Sequence, residues 1–374
     1  MRYIGIAALM LSVAIVSGCG GGGGGSQAPR VGFTSQVSFG DSLSDVGSYK
    51  VGGVAAVGGG QFTINGAGKN WVELMAAQMG LAAPCAAQTG SDDGTGVPSA
   101  TNVTPVNHAN CYAYAQGGAR VTDAIGIGNK NNPSHPSNAL TVPVATQVAN
   151  HLAAVGGSFS GSEVVYVLAG ANDVLTQAGT YPVLVGAPNN LPPAQAMAMV
   201  TAAVTTAANE LAALVAEPTT GMIAKGAKYV VVVNVPDVAS TPYAAGAEVA
   251  SPGSKALIDG LVMTFNAQLR TQLANNANVL LVDAYTINRD QVLNPAPYGL
   301  TDVQHMACDV AGTFLATNFG GSSLGCSAAN PASMTAGVSG DTHYLFADGV
   351  HPTPYGYWLL ARLVSKEMLV KGWL

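Results

Sequence analysis

Three stretches of this 374-residue chain are apolar at almost every position: EVVYVLA at 163–169, YVVVVNV at 229–235 and NVLLVDA at 278–284. A strand with one wet face alternates apolar and polar residues. A strand that does not alternate is covered on both faces. Helical patterns separate these stretches. Residues 142–155 put Val144, Val148 and Leu152 on one face, and residues 70–79 space Trp71, Leu74, Met75 and Met79 likewise. Residues 193–215 are Ala-rich, 254–273 read as helix, and 353–370 as a terminal amphipathic helix. Shorter runs at 37–39 and 112–115 are further strand candidates. Strands alternating with helices predict an α/β fold, a three-layer αβα sandwich around a central parallel sheet. The irregular regions 81–110, 125–141, 177–192 and 286–345 are expected to be surface loops and insertions. Loops at strand ends are where such folds carry their sites.

Composition excludes one partner class. Charged residues make up 9% of the chain, net charge is −6, and Lys and Arg form no stripe. Phosphate neutralisation needs clustered cations, so nucleic acid is not an expected partner.

The N-terminus reads as an export signal over residues 1–18. Arg2 precedes an apolar run at 4–16, shorter than the roughly 20 residues of a spanning helix. The run ends Val16-Ser17-Gly18-Cys19, which resembles a bacterial lipobox and marks Cys19 for lipid attachment. A Gly-rich tether follows, giving a 19–34 linker and a 35–374 domain. The expected place is the bacterial cell envelope, lipid-anchored at the outer membrane, or the medium if secreted. Removing Cys19 leaves Cys85, Cys111, Cys308 and Cys326, an even set that suggests two disulfides in an exported chain. Cys85–Cys111 and Cys308–Cys326 are favoured among three pairings because each closes a local stretch. None of the four sits near a His at zinc spacing, so no metal site is expected.

Four strand-end motifs carry chemistry. Gly40-Asp41-Ser42-Leu43-Ser44-Asp45 follows the first strand, which presents Ser42 at the sheet edge and is expected to run into a helix N-terminus. Asp45 alone reads as helix N-terminal charge. Gly117-Gly118 follows 112–115; a glycine there lets a backbone N–H approach a substrate oxygen closely. Asn172, in Gly170-Ala171-Asn172-Asp173, can offer its side-chain N–H to an oxyanion. Asp348-Gly349-Val350-His351 puts a carboxylate three residues before an imidazole, with Gly349 expected to permit the tight turn.

Together these motifs resemble the SGNH/GDSL hydrolase family over roughly residues 35–371, and Asn234-Val235-Pro236-Asp237 is also similar to secreted esterases of that family. The resemblance implies a flavodoxin-like αβα fold, Ser42 as nucleophile, His351 as base and Asp348 as its partner. It implies oxyanion donors at the Ser42 N–H, the Gly118 N–H and the Asn172 side chain. Ala113 stands where the family usually has Asn, so the choice of Gly118 over Gly117 rests on less. A monomer hydrolysing a small-molecule or lipid ester without a cofactor is expected, with the membrane met through the lipid anchor. An acyltransferase and a non-catalytic surface-binding protein are the rival readings. Gly321-Ser322-Ser323-Leu324-Gly325 satisfies G-x-S-x-G but lacks the flanking strand and helix. The GAGKN run at 66–70 fails phosphate-loop spacing. His343 reads as a surface residue, and His108, His135, His151 and His305 as lacking partners.

Overall fold

A computed structural model of the chain describes residues 31–374 except 93, 96, 98–101 and 135. The expected export segment, Cys19, most of the tether and His135 lie outside the described residues.

The central sheet contains Ser35–Gly40, Glu163–Leu168, Tyr229–Val233 and Val279–Val282, side by side in that order and all parallel. In register, Val37 faces Val165, Val165 faces Val230, and Val230 faces Val279. Side chains alternate across a strand, so each strand feeds two cores. Val37, Phe39, Val165, Val167, Val230 and Val232 point into one layer. The helices Val144–Ala154, Pro193–Ala216 and Ser254–Leu273 cover that layer. Val164, Tyr166, Leu168, Val231, Val233 and Val282 point the other way, onto Trp71–Gln78 and Pro354–Lys371. This double cover explains why the strands do not alternate: each buried valine side chain contributes about 1.5–3 kcal/mol on either face.

Residues 112–115 do not form a full strand. They add a parallel bridge to the central sheet, Ala113 to Ser38, with the Ser38 N–H donating to the Tyr112 carbonyl and the Tyr114 N–H to the Ser38 carbonyl, and a second bridge from Ala113 to Ala86. The Gln116 N–H extends the pairing with Ser35–Gly40 to the Gly40 carbonyl at 3.2 Å, where the Gln147 side chain joins it, accepting the Gly40 N–H at 2.9 Å and donating to its carbonyl at 2.8 Å. The 112–115 segment thus flanks the Ser35–Gly40 strand on one side and Glu163–Leu168 on the other, the switch point at which such sheets open a crevice.

Some regions expected to be irregular are regular. Ala171–Val185 is a helix despite Pro182, and Ala284–Leu293 is another. Gln88–Ser91 pairs antiparallel with Val103–Asn107, and Asp302–Met306 pairs with Tyr344–Phe346. Gly179 and Pro182 hid the first of these helices, and tertiary packing supports both helices and both strand pairs. Cys85 is bonded to Cys111, and Cys308 to Cys326.

Two histidines expected to stand alone are paired: His108 with the Thr89 hydroxyl and the exposed His305 with Asp302, each at 2.8 Å. His343 stacks on Tyr355 at 3.9 Å. His151 is buried among Phe39, Tyr112, Tyr114 and Phe159, and its Nδ1 finds no partner. Burial pushes its imidazole down to about 4, with Glu163 opposing weakly. The unfolded chain takes up that proton near pH 6.5 and the folded chain only near 4, so this group's contribution is lost as pH falls between them. The thermal midpoint of His151→Phe should therefore gain on that of the wild type as pH drops from 7 to 5. An unchanged gap between the two melting curves would show that His151 is not held neutral.

Candidate active site

Gly40 ends the first strand at φ +145°, and a Cβ there would meet the Leu168 carbonyl oxygen at 2.0 Å. Only glycine allows this approach, and the chain turns sharply beyond it. The next residues form turns rather than the expected helix. The Asp41 carboxylate accepts the Leu43 N–H at 3.0 Å, and the Asp41 carbonyl accepts the Ser44 N–H at 3.1 Å. Ser42 therefore does not stand at the start of a helix formed by its own segment. Asn70, which caps Trp71–Gln78, donates to the Leu43 and Asp45 carbonyls, and the Trp71 indole donates to the Ser44 hydroxyl at 3.2 Å.

Ser42 and His351 lie 309 residues apart in sequence, yet the Ser42 hydroxyl sits 2.8 Å from His351 Nε2. His351 Nδ1 is 2.8 Å from both carboxylate oxygens of Asp348. The turn joining these two residues is closed by the Asp348 side chain, whose Oδ1 accepts the N–H groups of Val350 and His351. Gly349 is not in a glycine-only conformation; instead its carbonyl accepts the Tyr243 N–H at 2.8 Å. Asp348 Oδ2 accepts the Ser323 N–H at 2.9 Å. Burial opposes its charge. The His351 charge and the hydrogen bonds from His351, Ser323 and Val350 outweigh burial and hold the carboxyl well below the usual carboxylate range. A carboxylate held ionised beside Nδ1 orients the imidazole with Nε2 free to accept the serine proton. The Gly321–Gly325 loop thus meets the site as a backbone donor. Its Ser322 hydroxyl caps the loop itself, accepting the Leu324 N–H at 3.1 Å.

The glycine pair is separated by its partners. The Gly117 N–H is taken by Asp45 Oδ2 at 3.0 Å, while Asp45 Oδ1 accepts the N–H groups of Gly47 and Ser48. Asp45 is therefore a buried tie to a second segment, not helix N-terminal charge. Burial lifts its carboxyl to about 6 against the pull of these N–H groups. Gly118 has φ +79°, and a Cβ on it would strike the Ile127 carbonyl oxygen at 1.9 Å. Among the described residues no acceptor takes the N–H of Gly118 or of Ser42. Asn172 stands in the first turn of Ala171–Val185 and donates one side-chain N–H to the Ala119 carbonyl at 2.9 Å. Its neighbour Asp173 accepts the Val121 N–H at 3.0 Å and pairs with Arg120 at 3.1 Å. The 117–121 segment is thus tied from both sides. Sequence reasoning missed Phe62, whose ring lies 4.8 Å from that of His351; a lone aromatic in a Gly-rich stretch carries no signal of such a place.

Ser42, Gly118, Asn172 and His351 line one cleft of about 1560 Å³. Backbone N–H groups free beside a serine, which is itself bonded to an imidazole, can receive the negative oxygen of a tetrahedral adduct.

A model of the GDSL-like Lipase/Acylhydrolase family matches residues 37–364. Over 140 residues, 36% of this chain, it is 34% identical to esterase EstA of Pseudomonas aeruginosa and equally to esterase EstA of Pseudomonas putida. The chain spans 19% of the length of each of those proteins. Among solved structures it is similar to an extracellular lipase of Streptomyces rimosus, with 18% identity, TM-score 0.33, and coverage of 68% of this chain and 81% of that one. It is also similar to a phospholipase A1 of Streptomyces albidoflavus, with 15% identity, TM-score 0.39, and coverage of 90% and 99%.

Proposed function

Because this chain belongs to the GDSL-like lipase/acylhydrolase family, we propose that it hydrolyses carboxylic acyl esters through an acyl-enzyme on Ser42. The observation that carries the reading is the continuous hydrogen-bonded chain Ser42–His351–Asp348, with every link at 2.8 Å. His351 accepts the serine proton as Ser42 Oγ attacks the ester carbonyl carbon. The N–H groups of Ser42 and Gly118 and the Asn172 side chain hold the oxyanion. His351 then gives the proton to the leaving alcohol, and water repeats the sequence to release the acid. Asp348 keeps the ring in place and stabilises its charged form. All the reacting groups come from one chain, so the chemistry needs no second copy. A fluorophosphonate probe should label Ser42, and labelling at Ser322 instead would overturn the assignment.

Residues 4–19 support export and attachment to the bacterial cell envelope through lipidated Cys19. Buried acyl CH₂ groups are worth about 0.8 kcal/mol each, so several chains on one residue anchor firmly. Cys19→Ser should move the protein from the membrane fraction to the soluble one. Wild-type protein that is already soluble and carries no lipid by mass spectrometry would refute the anchor.

A further inference from the structure

The cleft continues well beyond the reacting groups along one face of the helix Ala171–Val185. Asn172, Leu175, Thr176, Gly179, Thr180 and Val183 all line it. Their spacing of three and one places them on a single helical stripe. Two of these residues are polar in name only. The Thr176 hydroxyl donates to the Asn172 carbonyl at 2.7 Å, and the Thr180 hydroxyl to the Thr176 carbonyl at 2.8 Å. With both hydroxyls turned back onto the helix backbone, what remains for the cleft is methyl surface. Gly179 leaves a notch in the stripe, since a Cβ there would meet nothing within 4 Å. Val183 is 60% exposed at the far end.

Resting on the ester-hydrolase reading, we propose that this stripe is the acyl-chain track of the enzyme, and that the substrate is an ester of a medium- or long-chain fatty acid. The chemistry of the leaving group decides which half of the ester lies here. The alcohol oxygen must face His351 Nε2 to collect its proton, so the alcohol departs on the imidazole side. The helix carries Asn172, which faces the carbonyl oxygen, and its stripe runs on from there; the half of the ester that needs no imidazole lies along it. At a rise of about 1.5 Å per residue, Gly179 lies about 10 Å and Val183 about 16 Å along the helix from Asn172. These are the reaches of extended chains of roughly eight and a dozen carbons. The exposed position of Val183 leaves the track open, so longer chains run out to solvent.

The test is a chain-length profile of kcat/KM on p-nitrophenyl esters from acetate to palmitate, for wild type, Gly179→Leu and Val183→Asp. Both substituted positions are exposed, so the fold should tolerate them. Gly179→Leu fills the notch and should lower kcat/KM by about tenfold or more for chains of about eight carbons upward, leaving acetate within twofold. Val183→Asp should spare those mid-length chains and depress only chains of about a dozen carbons or more. A second series of acetates with lengthening alcohols should be unaffected by either change. If the alcohol series shifts instead, or if both variants reduce all chain lengths alike, the track assignment is wrong. Acetate turnover by each variant keeps this outcome separate from the ester-hydrolase reading: lost track selectivity with intact acetate hydrolysis refutes only the track, whereas a wild type inactive on every ester refutes the reading beneath it.

Discussion

Ser42→Ala is expected to lower kcat on a chromogenic ester by about a millionfold, close to the uncatalysed rate apart from what binding and the oxyanion donors still supply. In the proposed mechanism the hydroxyl oxygen forms the covalent bond, so no neighbour substitutes for it. Its side-chain hydrogen bond is to His351, so its removal should change stability by no more than about 1 kcal/mol. Two readouts keep catalysis apart from folding: pre-steady-state kinetics with excess p-nitrophenyl ester, and a thermal melt of the same preparation. A burst of p-nitrophenol equal to the enzyme concentration should appear in wild type and vanish in the variant. Retained turnover within tenfold of wild type, in protein free of wild-type contamination, would move the nucleophile elsewhere.

Asn172→Ala should lower kcat by about 10²–10³-fold, the loss typical of one oxyanion donor. KM should change little, because the bond strengthens only as charge develops on the carbonyl oxygen. The structure sharpens this expectation. One side-chain N–H of Asn172 is committed to the Ala119 carbonyl at 2.9 Å, which fixes the amide's orientation. The other N–H has no acceptor among the described residues. Asn172→Asp should be at least as damaging, since a carboxylate would repel both the Ala119 carbonyl and the oxyanion. A purely structural role predicts a different pattern, with fewer active sites by titration, a lowered melt, and normal kcat per titrated site. A fully folded Asn172→Ala enzyme with near-normal kcat would leave the backbone donors alone in the mechanism.

The tie between Asp45 and Gly117 bears on the same donors. With the Gly117 N–H already accepted by a buried carboxylate, the next N–H along, that of Gly118, is the one free to face the cleft. The glycine pair alone could not make this distinction, because both residues suit a close approach. The acceptor comes from a motif 72 residues earlier in the chain, and no local rule pairs the two.

By itself the sequence determined the sheet, its double cover and the order of the motifs, because these follow from local pattern. Strands such as 229–235 are apolar on both faces only if helices lie on both sides, and a serine, an asparagine and a histidine at strand ends read directly from the chain. The turn at Asp348–His351 was equally legible, since three residues suffice to close it. Only the tertiary structure decided that Ser42 is followed by turns tied down by Asn70 and Trp71, that Asp45 anchors a distant glycine, and that Ser323 supports Asp348. It likewise decided that Phe62 lies beside His351. The helix Ala171–Val185 was half hidden by Gly179 and Pro182, which local propensity counts against a helix, while packing against the core retains it. Contacts of this kind form between segments far apart in sequence. Their partners are chosen when the layers close, and no pattern within one segment records them.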